Sequence, residues 1–474
     1  MLNTISPVRP SHATEDRWSG RLVRRLAILT VANLLADVVL IAPLLALPQM
    51  LQHFQTGQAA VINASAMLAG AMWAPLLGRS ADIHGKRRIL LLTLITAGVG
   101  SVICMTAPNL VVFVLGRFLQ GAAVGSMLLT VALARQLCGA RLAMPAVGVV
   151  TSGSSVLAIL SLVPLGEAID SFGYRSVFFG AAALAAVAAV SVRLFIPEPP
   201  IRNTGSIDVT GALLLGGGLV GTLGYVSLGP DAGWFNPGIL AMLAAGGVAL
   251  VAGLAHILRV KDPIIDLRNI GLPLALALAV VALAGGSTQS MLQLKSLVAQ
   301  VSPDLGLGYG LGGGSAVLAM FALPALGIMT GGTLAGALAA RFGPAQVLIG
   351  GIALGMAATL GMLAGVSMLP VALGCATLLG MAAGATIASG YNLATAIVPP
   401  EQHGTAGSLV TVMLAVGSVV LNVAGATVLQ LTDTDIVVEG VAANSLTGVR
   451  LYILMAGSAL AAAAVFALAL VRRR

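Results

Sequence analysis

The sequence predicts an all-α integral membrane protein with 14 transmembrane helices in a 6 + 2 + 6 arrangement. Composition, the length of the apolar runs and a long internal repeat support this prediction. Of the 474 residues, 58% are hydrophobic and 8% are charged, and the mean hydropathy is +1.02. Soluble domains carry roughly 25% charged residues. Lipid must therefore be the main solvent of this chain.

The apolar runs have the length of membrane helices. About 20 apolar residues in a helix cross the hydrocarbon core, whereas a membrane β-barrel uses alternating strands of about 10 residues. The runs are continuous and long, which favours helices. They cover residues 24–48, 57–78, 88–107, 109–133, 144–169, 174–196, 208–229, 235–258, 271–292, 311–341, 344–364, 368–397, 404–430 and 448–471.

A charged segment, Gly78–Arg88, follows the second run, and we expect it to form a short loop. A weaker copy of this segment is Gly336–Pro344. The offset between the two copies is 258 residues, which pairs Gly85 with Gly343. A repeat of this length in an apolar chain predicts two similar helical bundles in tandem.

The distribution of Lys and Arg predicts the orientation. With the N-terminus inside, 20 of the 24 cations lie in cytoplasmic segments, and only Arg175, Lys295 and Arg450 lie in outer loops. This excess places both termini in the cytoplasm. It also explains the net charge of +8, because cations near the membrane face anionic headgroups. The charge therefore does not require nucleic acid as a partner. The first apolar run is longer than that of a signal peptide, so we expect it to be a retained helix.

The linkers divide the chain into four parts. Polar, proline-containing stretches at residues 197–208 and 259–268 separate the bundles. The longest outer segments are expected at Gln293–Gly310 and Thr432–Thr447, as surface loops. The predicted parts are a cytoplasmic tail at 1–23, a six-helix bundle at 24–200, a two-helix insertion with linkers at 201–269 and a second six-helix bundle at 270–474.

Two ionisable residues fall deep inside predicted spans, where charge is costly and usually functional. Asp37 lies about 18 Å above the inner boundary and Arg117 about 12 Å below the outer one, which is the same depth in a core of about 30 Å. They are predicted to pair across a cavity, either as a proton or cation site or as a structural salt bridge. Asn33 and Gln120, each about one turn away, either share the cavity or hold helices together.

Three further residues are candidates for a cavity mouth. Glu167 lies at the outer end of the fifth run, where a solvated interfacial acid is the alternative, and Gln289 and Gln293 lie near the outer end of the ninth. The sequence has neither a paired-histidine metal motif nor a complete phosphate loop. We therefore expect no metal, no cofactor, no ATP-driven transport and no enzymatic activity.

Several motifs resemble the Major Facilitator Superfamily, in its fourteen-helix drug:proton antiporter branch, over residues 24–471. The pattern of Gly78, Asp82, Gly85, Lys86 and Arg87 is similar to the signature of the loop between helices 2 and 3. FVLGRFLQGAAVG, which contains Arg117 and Gln120, resembles the helix 4 signature associated with proton handling. Other similar segments are FGYRSVFF at 172–179, SIDVTGALLL at 206–215, AGWFNPGIL at 232–240, KDPIIDLR at 261–268 and VPPEQHGTAGS at 398–408.

The chain departs from the family pattern at several positions. Ile83 stands where the family usually has Arg, and Ala340 stands where the repeat would place a second Asp82. Helix 1 lacks the usual polar residues after Asp37. The stretch Ser161–Gly166 retains only one Pro and one Gly of the antiporter motif. The resemblance implies two bundles rocking around a cavity. Asp37 would alternate between protonated and charged forms beside Arg117, and the segment around Asp82 would latch the cytoplasmic ends in one state.

The sequence thus predicts a secondary active transporter for proton-coupled efflux of lipophilic or amphipathic small molecules. One alternative is an exporter or importer dedicated to a single metabolite and not coupled as an antiporter. A further alternative is a non-transporting sensor or scaffold, but the cytoplasmic loops are only connector-sized. The expected partners are a small-molecule substrate, protons and the bilayer, with the chain as a monomer. Abundant Arg, Ala and Gly favour a bacterial cytoplasmic (inner) membrane.

Overall fold

The computed structural model of the chain is built from helices and one short strand pair over the part that it describes. The described residues are 17–56, 59–198, 206–260, 263, 271–300, 308–309, 322–399, 402–432, 437–438, 441–442 and 445–472.

The first eight helices follow one another with short connections. A one-turn 3₁₀ segment, Gly121–Ala123, joins α5 to α6. The helices are α1 (Gly20–Leu45), α2 (Leu47–Phe54), α3 (Ala59–His84), α4 (Lys86–Thr106), α5 (Leu110–Gln120), α6 (Val124–Leu137), α7 (Ala140–Phe172) and α8 (Arg175–Phe195).

Eight further helices and a short strand pair follow over the described residues. A two-stranded antiparallel hairpin pairs β1 (Val437–Val438) with β2 (Val441–Ala442). The helices are α9 (Val209–Ala232), α10 (Pro237–Ile257), α11 (Leu272–Gln300), α12 (Leu323–Phe342), α13 (Pro344–Gly365), α14 (Leu369–Ile397), α15 (His403–Leu431) and α16 (Leu446–Arg472).

The helices have the dimensions and surface of membrane spans. Within the described residues, 13 are long and apolar enough to cross a membrane, with α5 and α6 counted together, and α3 adds a further helix of 26 residues. Large apolar side chains such as Ile95, Val187 and Val251 are more than half exposed. A soluble monomer rarely exposes so many, whereas in lipid they contact acyl chains.

The packing forms two groups of helices and a smaller pair. Helices α1 and α3–α8 contact one another, as do α11–α16. The pair α9 and α10 pack together, and α9 lies against both α3 and α15. The two large groups meet where α3 contacts α15 and where α7 contacts α12. The interface between the groups is formed by these four helices together with α6 and α14.

The prediction of a loop at Gly78–Arg88 is wrong. Helix α3 continues to His84 and α4 begins at Lys86, so Gly85 alone separates them, with φ 106°. Its repeat partner Gly343, with φ 87°, likewise separates α12 from α13. Glycine adopts this backbone conformation without a steric penalty, so one residue suffices to turn the chain.

Other boundaries also differ from the sequence prediction. Helix α1 begins at Gly20 because Ser19 caps it by accepting from the Leu22 amide at 3.0 Å. Helix α11 reaches Gln300, so the expected loop at Gln293–Gly310 begins later, and the expected loop at Thr432–Thr447 contains the β1–β2 hairpin. The tail at 1–16, most of the two linkers and the start of the tenth run, at 310–321, lie outside the described residues.

Candidate functional site

Arg117 is buried at the centre of the first helical group. Its Nη1 donates to the Val39 carbonyl of α1 at 2.9 Å, and its Nε donates to the Ile62 carbonyl of α3 at 3.3 Å. The guanidinium therefore joins α5 to two neighbouring helices. Burying a charge is costly unless hydrogen bonds compensate it, and these carbonyls provide that compensation.

Gln120 extends this network into α4. Its Oε1 accepts from Arg117 Nη1 at 3.0 Å, and its Nε2 donates to Ser101 Oγ at 2.8 Å. The network runs in order from α1 through Arg117 and Gln120 to α4. Because this network is anchored on α1 at one end and on α4 at the other, Gln120 positions the guanidinium.

Asp37 and Asn33 lie on the side of α1 that faces α7. Asn33 is buried, and its Nδ2 donates to Ser154 Oγ at 2.9 Å. Ser154 also lies within hydrogen-bonding reach of Asp37, which is half-buried. Asp37 Oδ2 and Asn33 Oδ1 are buried acceptors without a hydrogen-bond partner. The carboxylate oxygen can take a proton, and both oxygens can accept a hydrogen bond from a ligand.

Asp37 and Arg117 lie at the same level of α1 but contact different neighbours. Arg117 binds the carbonyl of Val39, two residues beyond Asp37. Asp37 lies beside Ser154 of α7, whereas the described contacts of Arg117 include carbonyls of α1 and α3. The direct pairing of Asp37 with Arg117 stays a prediction.

Asp82 holds the two helical groups together at one end of the molecule. Its Oδ1 accepts from the Gly404 amide at 2.9 Å, and its Oδ2 accepts from the Thr405 amide at 2.8 Å and from Thr405 Oγ1 at 2.9 Å. These groups lie in the first turn of α15, whose amides lack partners within the helix. A carboxylate is favoured there by hydrogen bonding and by the helix dipole.

Lys86 and a close backbone approach complete this contact. Lys86 Nζ lies 3.4 Å from Asp82 Oδ1, and both side chains are fully buried. A Cβ added at Gly78 would lie 2.6 Å from the Gly404 carbonyl oxygen. We call Gly78, Asp82, Lys86, Gly404 and Thr405 the latch. It holds α3 directly against α15 at this end.

Two further contacts between the groups lie at the same end. Arg135 Nη1 of α6 donates to Asn392 Oδ1 of α14 at 3.0 Å. A Cβ added at Gly148 of α7 would lie 2.3 Å from the Gly332 carbonyl oxygen of α12. The end at which α3, α6, α12 and α14 finish is therefore closed.

The remaining candidates are more dispersed. Gly85 forms the turn described above, and the Arg87 amide donates to Glu198 Oε1 at 3.2 Å. Glu167, Gln289 and Gln293 are exposed on α7 and α11. The structure does not bring these three into the network of Arg117 or into the latch.

The sequence interpretation missed several partners. Ser101, Ser154 and Thr405 are small polar residues within apolar runs, and nothing in their spacing distinguishes them from other Ser and Thr. Of the missed partners, Asn392 offered a signal, because an amide within an apolar span indicates a contact between helices. Among the described residues, no group of three or more His, Cys, Asp or Glu could hold a metal ion.

Comparisons with known proteins agree with this architecture. The chain is 30% identical over 361 residues to the multidrug resistance protein B homolog of Mycobacterium tuberculosis, covering 73% of this chain and 64% of that protein. It is 27% identical over 376 residues to the uridine/deoxyuridine transporter of Lactococcus lactis subsp. cremoris, covering 73% and 76%. It is 30% identical over 251 residues to the lincomycin resistance protein of Streptomyces lincolnensis, covering 52% of each.

Solved structures show the same fold at low sequence identity. The human organic anion transporter MFSD10 superposes with a TM-score of 0.65 at 17% identity, covering 95% of this chain and 100% of that one. The transporter FucP in its outward conformation gives 0.60 at 15% identity, covering 94% and 98%.

The fold and the apolar spans define a multi-pass helical membrane protein, and the chain spans 64% of the length of its multidrug resistance relative. The model of the Major Facilitator Superfamily matches residues 26–320, more than half of the chain. The chain belongs to this superfamily. The resemblance of its motifs is therefore confirmed, and named multidrug resistance relatives support the drug:proton antiporter branch.

Proposed function

We propose that the chain is a secondary active transporter that exports lipophilic or amphipathic small molecules in exchange for protons. The observation that carries this proposal is the latch, a contact between the two helical groups made by one carboxylate on the first turn of α15. Opening it requires the groups to separate at that end, as alternating access demands. The names of the multidrug and lincomycin resistance relatives support efflux.

The proton would act at Asp37. Its Oδ2 is buried without a hydrogen-bond partner, and the carboxyl lies beside Ser154, which also binds Asn33. A substrate donor or a proton can occupy this acceptor, so the two would compete. When the groups tilt and the closed end opens, Arg117 would exchange the Val39 carbonyl for the carboxylate and favour proton release. Gln120 would position Arg117 in both states.

The membrane arrangement belongs to the same proposal. We place α3 with the 13 other spans, which gives 14 helices divided at residues 24–200, 201–269 and 270–474. The excess of cations puts the latch and both termini on the cytoplasmic side of a bacterial inner membrane. The described conformation is then closed to the cytoplasm. Gln289, Gln293 and Glu167 would face the outer mouth, and the transporter would act as a monomer.

Transport in proteoliposomes tests this function. Purified protein is reconstituted, and a panel of amphipathic compounds is followed with and without an imposed pH gradient. We expect several lipophilic compounds to accumulate more when protons flow down the imposed gradient in the direction opposite to the compounds. Gradient-independent movement of all compounds would contradict antiport.

A transporter dedicated to one metabolite is the second candidate. Two observations favour it: the stretch Ser161–Gly166 lacks most of the antiporter motif, and the relative from Lactococcus is named a uridine/deoxyuridine transporter. In the same panel, this candidate predicts movement of a single hydrophilic compound, such as a nucleoside, and none of the amphipathic ones.

A further inference from the structure

Two neighbouring cavities lie on the outer face of α4 and α8, one near the latched end and one farther along the spans, and together we call them the groove. Its first part is a cavity of about 410 Å³ lined by Arg87, Arg88, Leu91, Arg193 and Glu198. Its second part is a cavity of about 390 Å³ lined only by Gly, Ala, Leu, Ile and Val of the same two helices. Leu91 of the first cavity and Ile95 of the second are one helical turn apart.

The first cavity carries excess positive charge. Three guanidinium groups line it against one carboxylate. Glu198 is already engaged, because its oxygens accept from the Arg87 amide at 3.2 Å and the Arg88 amide at 3.0 Å. Arg88 and Arg193 are exposed. Both are therefore available to an anion, and Arg is suited to bidentate binding of phosphate.

The second cavity is suited to an acyl chain. Ile95, Val99 and Val102 are about half exposed and stand in line on α4. The opposite wall is made by small residues of α8, including Ala182, Ala186 and Ala189. A chain of methylene groups packs on such a wall without displacing side chains. The groove thus passes from a basic cavity to an apolar cavity along the helix axes.

We propose that this groove binds one anionic phospholipid of the surrounding bilayer. The phosphate lies between Arg88 and Arg193, and one acyl chain lies along Ile95, Val99 and Val102. The order of a charged pocket at the helix ends followed by an apolar channel in the spans matches a lipid that enters from the adjacent leaflet. Lys86 of the latch is two residues from Arg88, so the bound lipid stiffens the first turn of α4 and favours the latched conformation.

Binding is tested with purified full-length protein by native mass spectrometry, with thermal unfolding as a second readout. The probes are phosphatidylglycerol, phosphatidylcholine with the same chains, and inorganic phosphate. We expect phosphatidylglycerol to be retained and to raise the unfolding temperature more than either other probe. Removing both exposed cations in the double variant R88Q/R193Q should weaken its binding by about 25-fold, at about fivefold per arginine.

Two variants separate the parts of the groove. Ala186→Trp fills the apolar channel without changing charge and should also lower phosphatidylglycerol retention. Arg341→Gln removes an exposed cation from the end of α12, outside the groove, and should leave retention at the wild-type value. Equal retention by R88Q/R193Q and wild type would overturn the proposal. It would also be overturned if inorganic phosphate alone reproduced the whole thermal shift, since that would indicate a free-anion site.

Discussion

At the scale of single residues, the molecule uses its few buried charges in two different ways. Arg117 is held by carbonyls of α1 and α3 and by Gln120, so its charge is compensated within one helical group. Asp82 is held by amides of α15, so its charge is compensated across the two groups. The first arrangement stabilises a bundle, whereas the second exists only while one end is closed.

Asp82→Asn should therefore shift the conformational equilibrium. The amide keeps one acceptor oxygen but loses the charge that favours the helix N-terminus, an effect of up to about 2 kcal/mol in buried geometry. We expect the population with separated groups at the latched end to rise about tenfold. The distance between spin labels placed on the ends of α3 and α15 measures this population.

Asp208→Asn is the matched control. Asp208 also caps a helix, because its Oδ1 accepts from the Gly211 amide of α9 at 2.8 Å, but it lies within the smaller helix pair. This substitution should leave the spin-label distances as in the wild type. An equal shift in both variants, or none in Asp82→Asn, would show that the latch does not set the equilibrium.

At the scale of elements, glycine lets helices of the two groups approach closely. One such contact at the closed end joins the backbones of Gly148 of α7 and Gly332 of α12, where a Cβ added at Gly148 would lie 2.3 Å from the Gly332 carbonyl oxygen. Backbone cannot yield by that amount without moving the helix, so a side chain here separates the helices. The same residues would allow sliding during transport.

Gly148→Leu should thus open the closed end. Overpacking costs about 1–3 kcal/mol, and separation of α7 from α12 relieves it. We expect increased labelling, from the cytoplasmic side, of a cysteine placed on the inner face of α7. Gly166→Leu is the control in the same helix, because nothing lies within 4 Å of its added Cβ. Unchanged labelling in Gly148→Leu would contradict this role.

Features that depend on local sequence could be predicted, whereas contacts between residues far apart in the chain could not. Helix existence could be predicted because burial in lipid depends on local composition, and the turn at Gly85 lies where the signature indicated. The helical conformation of the charged residues around Gly85 could not be predicted. Asp82 and Lys86 are charged yet fully buried, and Asp82 contacts Gly404 of α15, 322 positions away. The partners of Asp37 were missed for the same reason, because Ser154 is distinguished only by its position in the fold.

At the scale of the whole molecule, the distribution of charge predicts how the chain lies in the membrane. The latch and the basic part of the groove lie at the same ends of their helices, and most of the cations are predicted to lie on this side. If both termini are cytoplasmic, this end faces the cytoplasm, and the described conformation is closed to it. The side of the membrane to which this conformation is closed therefore depends on the topology.

Labelling of introduced cysteines measures the topology. The three native cysteines, Cys104, Cys138 and Cys375, are buried, so an impermeant maleimide should react only with new sites. We expect Ser11→Cys and Arg474→Cys to be labelled in inverted vesicles and not in intact cells, and a cysteine at Thr447 to show the opposite. Labelling of the two termini from opposite sides would exclude an even number of spans.

The central claim is that a proton at Asp37 is exchanged for substrate, and the pH-gradient response of Asp37→Asn in proteoliposomes tests it most directly. The variant keeps the shape of the site but cannot release a proton. We expect gradient-driven transport to fall at least about tenfold, to the level seen without a gradient, while exchange of labelled for unlabelled substrate continues. Asp170→Asn, which changes an exposed acid at the end of α7, should behave as the wild type. A full gradient response in Asp37→Asn would contradict the account.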